Sequence, residues 1–232
     1  MVTELLKIKE SVGKATGTKA ENLASQINIK TLTAIHRKMD GKKAVGIDGV
    51  SKGEYEAELE SNLEILVNRM KREAYKPKPS RRVFIDKPGS KKRRPLGISC
   101  YEDKLVERAV AELLEIVYEP KFSKVSYGFR TGRNCHQAIR EVIEDIQYRK
   151  TGYVVEADIR SFFDELDHEW LIRFLEHDIA DKKFIGIIRR FLKAGIIENG
   201  KLLEKEEGSS QGNGASPILA NIYLHKLPAW AD

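Results

Sequence analysis

Apolar residues recur three or four positions apart along much of the chain, a spacing that predicts packed amphipathic helices. The pattern is strongest over 102–118, where most of the apolar side chains are predicted to face inward. Asn134, Asp167 and Ser216 precede further apolar stretches and have side chains that cap helix N-termini. Helices are accordingly predicted over 31–38, 54–74, 102–118, 184–192 and after each of these three caps.

Short apolar runs bounded by turn residues predict strands. Pro88-Gly89 marks the turn of a basic hairpin formed by 81–86 and 94–98. Asn199-Gly200 lies between two short apolar runs and predicts a two-residue hairpin turn. A further strand, Y-V-V-E-A, is predicted over 153–157. Because helices and strands are mixed without regular βαβ alternation, the predicted fold class is α+β.

Composition predicts a globular protein. The 232-residue chain is 41% hydrophobic, which is enough for a packed core. It has no apolar run of about 18 residues that would predict a transmembrane helix. The N-terminus lacks a signal-peptide core, and the two cysteines form no C-x-x-C motif. We therefore expect a reduced, cytoplasmic protein without membrane contact.

Positive charge is concentrated between Arg69 and Arg94. This window contains twelve Lys and Arg residues, which are opposed only by Glu73 and Asp86. The net charge of the whole chain is only +6, so the rest of the chain is slightly acidic. Such a basic block predicts a polyanion partner; the alternative is a solvated basic surface.

Asp158 stands at the end of the predicted strand 153–157, in the segment V-V-E-A-D-I-R-S-F-F-D. Magnesium prefers hard oxygen ligands, and two-metal nucleotidyl transfer needs carboxylates gathered at one place. Asp158 fits the first of these carboxylates, and the alternative is that it is a strand-terminal turn residue. Asp164 and Asp167 are expected to start and cap the helix that follows.

Two loops are suited to contact a ligand. The segment 208–216 (G-S-S-Q-G-N-G-A-S) combines three glycines with Gln211 and leads into a helix start, where free N–H groups attract anions. Tyr127 and Arg130 lie in S-Y-G-F-R, a combination that can stack on nucleic acid. Each loop taken separately is also compatible with a plain structural turn.

These segments occur in one order: basic hairpin, S-Y-G-F-R, strand with Asp158 and an aromatic pair, then Q-G and S-P-I-L-A-N-I-Y-L. In this order the chain resembles the reverse transcriptases encoded by group II introns and their bacterial relatives, over about 35–227. The stretch A-V-G-I-D-G-V resembles their N-terminal extension, and R-R-V-F-I-D-K-P-G with R-R-P-L-G-I resembles their fingers hairpin. The resemblance implies a right-hand polymerase fold, with an N-terminal extension (1–75), fingers (76–152) and part of the palm (153–232).

The resemblance also implies a role for each matching residue in RNA-templated DNA synthesis. Asp158, the catalytic carboxylate, and Ile159 are expected to bind Mg²⁺, and Phe163 is expected to reject the ribose 2′-hydroxyl. The residues expected to contact the incoming dNTP are Lys87, Arg94, Arg160, Ser161, Phe162, Phe163 and Gln211. The residues expected to contact the RNA template or the DNA or RNA primer are Arg81, Arg82, Lys91, Lys92, Arg93, Tyr127 and Arg130.

The chain departs from the family pattern in two respects. Ser210 stands where the family has a proline beside the glutamine, and neither the Y-A-D-D block with the remaining metal-binding aspartates nor the thumb occurs. We therefore expect the 232-residue chain alone to be inactive as a polymerase. The alternative function is that of an RNA-binding, maturase-like remnant whose partner is the host intron RNA.

Overall fold

The computed structural model of the protein describes residues 19–86, 89, 93–149, 151–204, 207–208 and 212–230, and for 227–230 only the course of the backbone. The helices of this described part are α1 (Leu23–Gln26), α2 (Ile29–Lys38), α3 (Lys52–Glu56), α4 (Leu59–Lys71), α5 (Tyr101–Tyr118), α6 (Cys135–Tyr148), α7 (His168–Asp178), α8 (Lys182–Leu192) and α9 (Ser216–Trp230). Its strands are β1 (Ser80–Asp86), β2 (Arg93–Ile98), β3 (Ile196–Glu198) and β4 (Lys201–Leu203).

Local signals determine where several helices begin. Asn134 forms a capping box with Gln137 at the start of α6. Asp167 caps α7 and Asp181 caps α8, each by accepting a hydrogen bond from a backbone N–H three residues later. The helix predicted over 54–74 forms as two helices, α3 and α4. The prediction of helical structure is confirmed, but the prediction of one continuous helix is wrong.

The four described strands form one mixed sheet in the order β2-β1-β3-β4. β1 and β2 form the predicted basic hairpin, in a register that pairs Asp86 with Arg93. β3 and β4 form the second predicted hairpin, and both residues of its turn, Asn199 and Gly200, have positive φ. β1 also pairs in parallel with β3, so the two hairpins belong to one sheet although they are far apart in sequence.

Helix α5 is the central helix of a hydrophobic core that extends from Ala20 to Ile222. Of its predicted inward residues, Leu105 and Val110 are fully buried, whereas Ile116 is only partly buried. It packs against α2 and α9. Because the N-terminal helices, α5 and the helices α7 to α9 all contribute side chains, the three predicted segments share this core. Ala215 belongs to this core, and Phe162 packs against it.

The loop 44–50 (A-V-G-I-D-G-V) packs against the start of α5. Gly46 lies so close to Cys100 that a Cβ at position 46 would come within 2.5 Å of the Cys100 Cα, which only glycine permits. The Cys100 thiol is buried, and this burial raises its pKa to about 11. Cys135, the first residue of α6, is exposed.

The strand predicted over 153–157 does not form in the described structure. The segment lies in a coil and pairs with no described strand. Tyr153, Val154 and Val155 are 91%, 70% and 87% exposed. A strand is stabilised by hydrogen bonds and side-chain contacts with a neighbouring strand, so an apolar sequence alone does not suffice. This prediction is therefore wrong for the described structure.

Helix α6 also presents apolar side chains to the surface. Ile139, Val142, Ile143 and Ile146 are each about half exposed, and none of the residues of this helix is buried. They precede the exposed segment 153–155 by only a few residues. Among the described helices, none combines the length and the apolar composition needed to cross a membrane.

Candidate nucleotide and nucleic-acid interface

Asp158 lies on the surface and begins a segment, 158–164, that ends in a tight turn and is called the Asp158 turn below. Ser161 has a positive φ of 51°, and its carbonyl oxygen accepts a hydrogen bond from the N–H of Asp164 at 2.8 Å. This left-handed conformation is costly for a residue with a side chain, so surrounding contacts must hold it. Within the described part of the chain, the N–H groups of 159–161 donate to no protein acceptor. The turn therefore leaves a carboxylate and several N–H groups available to a ligand.

The aromatic pair of the Asp158 turn, Phe162 and Phe163, is half-buried, with 5.7 Å between the ring centroids. The Phe163 ring contacts the ring of Phe129 edge-on at 6.4 Å. Phe129 belongs to the S-Y-G-F-R segment, in which the carbonyl oxygen of Gly128 accepts a hydrogen bond from Asn221 of α9 at 2.8 Å. The S-Y-G-F-R segment is thus held between the Asp158 turn and α9.

The segment 208–216, called the glycine-rich loop below, contacts the Asp158 turn at its first residue. A Cβ at Gly208 would lie 2.5 Å from the carbonyl oxygen of Asp164, so only glycine fits there. The N–H of Gly208 donates to the carbonyl oxygen of Leu166 at 2.8 Å. The carbonyl oxygen of Gly208 lies 2.7 Å from Nε2 of His168 and accepts its hydrogen bond. These contacts fix the start of the loop to the end of the turn.

The same loop contacts the fingers hairpin further along. Gly212 has a φ of 111°, and a Cβ at this position would lie 2.5 Å from the carbonyl oxygen of Gly97 in β2. Arg94 lies three residues before Gly97, about 10 Å away along the strand. The glycine-rich loop therefore bridges the hairpin and the Asp158 turn, so that all four segments selected from the sequence meet in the structure.

Two predicted nucleic-acid contacts in the hairpin have partners within the protein. Arg81 donates to the carbonyl oxygen of Val45 through two guanidinium nitrogens, at 2.8 and 3.3 Å. Arg82 lies 3.6 Å from a carboxylate oxygen of Glu198 in β3. Arg81 thus ties the hairpin to the loop 44–50, and Arg82 ties it to the second hairpin. Their contact with nucleic acid stays a prediction.

Arg93 and Arg94, at the start of β2, are exposed. Arg93 lies 3.2 Å from Asp86 on the opposite strand, but both side chains are well exposed, and such surface ion pairs contribute little. Both arginines therefore remain accessible to phosphate groups. The other predicted contacts near the hairpin tip and in the glycine-rich loop lie outside the described residues; they are Lys87, Lys91, Lys92 and Gln211.

Arg130 is a structural residue, contrary to the prediction that it contacts nucleic acid. Its side chain is only 3% exposed. It binds both carboxylate oxygens of Glu119, at 2.7 and 3.1 Å, and donates to the carbonyl oxygens of Ser123 and Ser126, at 2.7 Å each. Because these four hydrogen bonds occupy the buried guanidinium group, it holds the S-Y-G-F-R segment and does not face a ligand.

Tyr127 in the same segment is half-buried and also has partners within the protein. Its hydroxyl group donates to the carboxylate of Glu141, and the guanidinium carbon of Arg133 lies 5.3 Å from the ring centroid. One side of the ring is therefore covered by an arginine. Stacking of Tyr127 on a base stays a prediction.

Asp158 is a suitable ligand for Mg²⁺, because its carboxylate is exposed and offers hard oxygen atoms. Among the residues that the structure describes, however, no group of three or more His, Cys, Asp or Glu side chains is arranged to hold a metal ion. The described residues therefore do not by themselves form a metal site, and the binding of Mg²⁺ by Asp158 stays a prediction.

Sequence reasoning misses two buried carboxyl groups on α5, those of Asp103 and Glu107, which are each 2% exposed. Asp103 accepts hydrogen bonds from the Tyr75 hydroxyl at 2.5 Å and from the Lys78 N–H at 3.0 Å, and burial raises its pKa to about 6. Burial raises the pKa of Glu107 to about 7. Their spacing could have indicated this burial, because residues four positions apart lie on one face of a helix, and the neighbours of Asp103 and Glu107 on that face are apolar.

The family model described as "Reverse transcriptase (RNA-dependent DNA polymerase)" matches residues 85–232. This chain belongs to the reverse transcriptase family. The matched residues of this reverse transcriptase include β2, the S-Y-G-F-R segment, the Asp158 turn and the glycine-rich loop. Apart from most of β1, the segments that meet in the structure thus lie within the matched range.

Two relatives illustrate the type of reverse transcriptase. Group II intron-encoded protein LtrA of Lactococcus lactis subsp. cremoris is 42% identical over 168 residues, which cover 72% of this chain and 28% of that protein. Protein YkfC of Escherichia coli (strain K12) is 37% identical over 190 residues, 81% of this chain and 50% of that protein. The resemblance to group II intron reverse transcriptases is confirmed. The chain spans only between about a quarter and a half of these relatives.

The reverse transcriptase chain is also similar to solved structures. It matches chains of the Cas6-RT-Cas1–Cas2 complex and of a partial form of that complex with a TM-score of 0.59 and 22% identity. The match covers 89% of this chain and 21% or 34% of the other chain. At this level of identity the likeness concerns the fold alone. The predicted α+β fold, with fingers and part of a palm, is confirmed.

Proposed function

We propose that this chain forms the fingers and the first part of the palm of an RNA-directed DNA polymerase of the group II intron type. One observation carries the proposal: segments that are distant in sequence contact one another around the turn that follows the exposed Asp158. The glycine-rich loop contacts the Asp158 turn at Asp164 and the fingers hairpin at Gly97, while Phe163 contacts Phe129. A phosphoryl-transfer site requires a carboxylate, free N–H groups and cations. Asp158, the N–H groups of 159–161 and Arg94 can supply them.

In the proposed reaction the residues of this chain bind and orient the incoming dNTP. Asp158 and Ile159 would hold Mg²⁺ together with ligands from outside the described residues. Bound Mg²⁺ supplies charge stabilisation for nucleotidyl transfer. The exposed guanidinium of Arg94 can bind a phosphate group through two parallel hydrogen bonds. The free N–H groups of 159–161 can donate hydrogen bonds to the triphosphate.

The proposal extends to partners that follow from this reaction. They are an RNA template, a DNA or RNA primer and dNTPs, and host intron RNA is the template that the group II relatives suggest. We propose a cytoplasmic location, which is supported by two cysteines that form no disulfide. Since the chain spans 28% of LtrA and 50% of YkfC, the activity is proposed for a polypeptide that contains this chain together with the remaining palm.

The test uses the longest open-reading-frame product that contains residues 1–232. Primer extension on an RNA template with dNTPs and Mg²⁺ should give DNA synthesis. Asp158→Asn should lower the rate at least about 100-fold, because a group that stabilises transition-state charge is lost. Glu156→Gln is the matched control: it removes an exposed carboxylate two residues away and should leave the rate nearly unchanged.

Equal rates for the Asp158→Asn and Glu156→Gln variants would overturn the assignment of Asp158. The basic hairpin supports one alternative, an RNA-binding, maturase-like protein. That alternative would be favoured if the unmodified polypeptide bound RNA with a steep salt dependence, as phosphate contacts require, but incorporated no nucleotide.

A further inference from the structure

The carboxyl group of Glu107 connects three separate parts of the molecule. It lies on α5, is buried, and accepts hydrogen bonds from the hydroxyl of Ser99 at 2.5 Å, from Nδ2 of Asn213 at 2.9 Å and from the N–H of Gly214 at 2.9 Å. Ser99 directly follows β2, the strand that contains Arg94. Asn213 and Gly214 belong to the glycine-rich loop. One carboxyl group therefore joins the fingers hairpin, the central helix and the loop.

The loop fits this place closely. A Cβ at Gly212 would lie 2.5 Å from the carbonyl oxygen of Gly97, and a Cβ at Gly214 would lie 3.5 Å from the Glu107 Cβ. Asn213 has a second function, because its Oδ1 accepts a hydrogen bond from the N–H of Ala215 at 2.8 Å and so shapes the entry to α9. Shape and hydrogen bonds thus impose one conformation on 212–215.

Stability alone gives little reason for a carboxyl group at this position. An ionised group that is fully removed from water carries a desolvation cost, and well-packed apolar residues often stabilise a core better. A buried polar group with all partners in place instead favours one specific arrangement of the elements around it. The residue directly before Gly212 is Gln211, the proposed neighbour of the incoming nucleotide.

We propose that Glu107 is a positioning residue that holds the backbone next to Gln211 at a fixed distance from the strand that contains Arg94. It touches neither nucleotide nor metal and acts through Ser99, Asn213 and Gly214. The importance of Gln211 rests on the proposed function, whereas the attachment of the loop to Glu107 does not. The two statements can therefore be tested separately.

The first experiment measures amide hydrogen exchange in the 232-residue chain. In Glu107→Gln, one acceptor oxygen is replaced by an NH₂ group that faces hydrogen-bond donors, so the protection of the Gly214 amide should fall at least about tenfold. Glu112→Gln, on the same helix but paired with Arg108 near the surface, should leave that protection unchanged. Unchanged protection of Gly214 in Glu107→Gln would overturn the proposal. Asn213→Ala removes a donor from the loop side alone, and it should reproduce the effect if Glu107→Gln does not fold.

The second experiment uses primer extension by the longest polypeptide that contains the chain. Glu107→Gln should raise the KM for dNTP about tenfold with a smaller change in kcat, and should leave the affinity for primer–template unchanged. A role limited to folding would instead lower the amount of active enzyme at an unaltered KM, which would overturn the positioning role. If the unmodified polypeptide makes no DNA, the proposed function fails, and the exchange experiment alone decides whether Glu107 holds the loop.

Discussion

At the scale of single residues, Asp103 shows how burial changes the chemistry of a side chain. Its carboxyl group lies inside the core and accepts two hydrogen bonds, from Tyr75 and Lys78. These hydrogen bonds favour the charged form, but the loss of water outweighs them and raises the pKa from 3.8 to about 6. The folded protein therefore binds a proton at this group more tightly than the unfolded chain does.

This difference in proton affinity predicts how stability depends on pH. Since the folded pKa of Asp103 is raised, its contribution is fully present below about pH 3.8 and is lost as the pH rises through about 6. The free energy of unfolding should fall across this window by on the order of 3 kcal/mol. Asp103→Asn, which keeps one acceptor oxygen, should remove that part of the slope. Urea unfolding of both proteins between pH 4 and pH 7 measures the difference.

Glu107 titrates both in the unmodified chain and in Asp103→Asn. The difference between their curves of unfolding free energy against pH therefore reports mainly on Asp103. Curves that run parallel across the window would show that the Asp103 carboxyl has the same proton affinity in the folded and unfolded states. That result would contradict the effect of burial described above.

Phe163 is the second residue with a specific prediction. In the proposed polymerase, Phe163→Val opens space beside the sugar of the nucleotide and should raise the ratio of ribonucleotide to deoxyribonucleotide incorporation by at least about tenfold. Phe129→Val removes the ring that Phe163 contacts and is the control for a loss of packing. Single-nucleotide extension with each substrate measures the ratio. An unchanged ratio in Phe163→Val would remove the assignment of sugar selectivity.

At the scale of elements, the sequence predicts best what is determined locally. The caps Asn134 and Asp167 act on residues three positions away, and the turn Asn199-Gly200 needs only its own conformation. The strand at 153–157 depends on a neighbouring strand, which periodicity does not report. Likewise, the residue type of Arg130 suggested nucleic acid, but its burial depends on Glu119, which lies on another segment.

Asp181 combines a local and a distant function, which gives a prediction for helix α8. Its Oδ1 caps the helix through the N–H of Phe184, and its Oδ2 accepts from the N–H of Ala24. Asp181→Ala should therefore cost about 2 kcal/mol of unfolding free energy, more than a typical cap. Asp181→Asn keeps one acceptor oxygen, so its free energy of unfolding should lie between those of the unmodified chain and of Asp181→Ala. Urea denaturation gives this order; equal stability of the Ala variant and the unmodified chain would contradict it.

At the scale of the whole molecule, a shared core coexists with apolar surface that the described residues leave uncovered. The core unites helices from all three predicted segments, which explains how motifs that are far apart in sequence come into contact. The apolar side of α6 and the segment 153–155 remain exposed. Exposed apolar surface of this kind promotes association with other protein surfaces.

The isolated chain should therefore self-associate at micromolar concentration. A double variant, Ile143→Lys with Val155→Lys, should shift it towards the monomer, because both side chains are exposed and apolar. Ile65→Lys changes an exposed isoleucine on α4 and should have a smaller effect. Size-exclusion chromatography with light scattering measures the mass of each protein. A monomeric unmodified chain would refute the expectation.

The contrast between the two cysteines has a practical consequence. Burial keeps the Cys100 thiol protonated at neutral pH. Alkylating reagents react with the thiolate form, so Cys100 should react slowly. Cys135 is accessible and begins α6, shortly after the S-Y-G-F-R segment. A maleimide dye should consequently attach at one position without any mutagenesis, and a change in its fluorescence on addition of an RNA–DNA hybrid would test whether the hybrid binds near the start of α6.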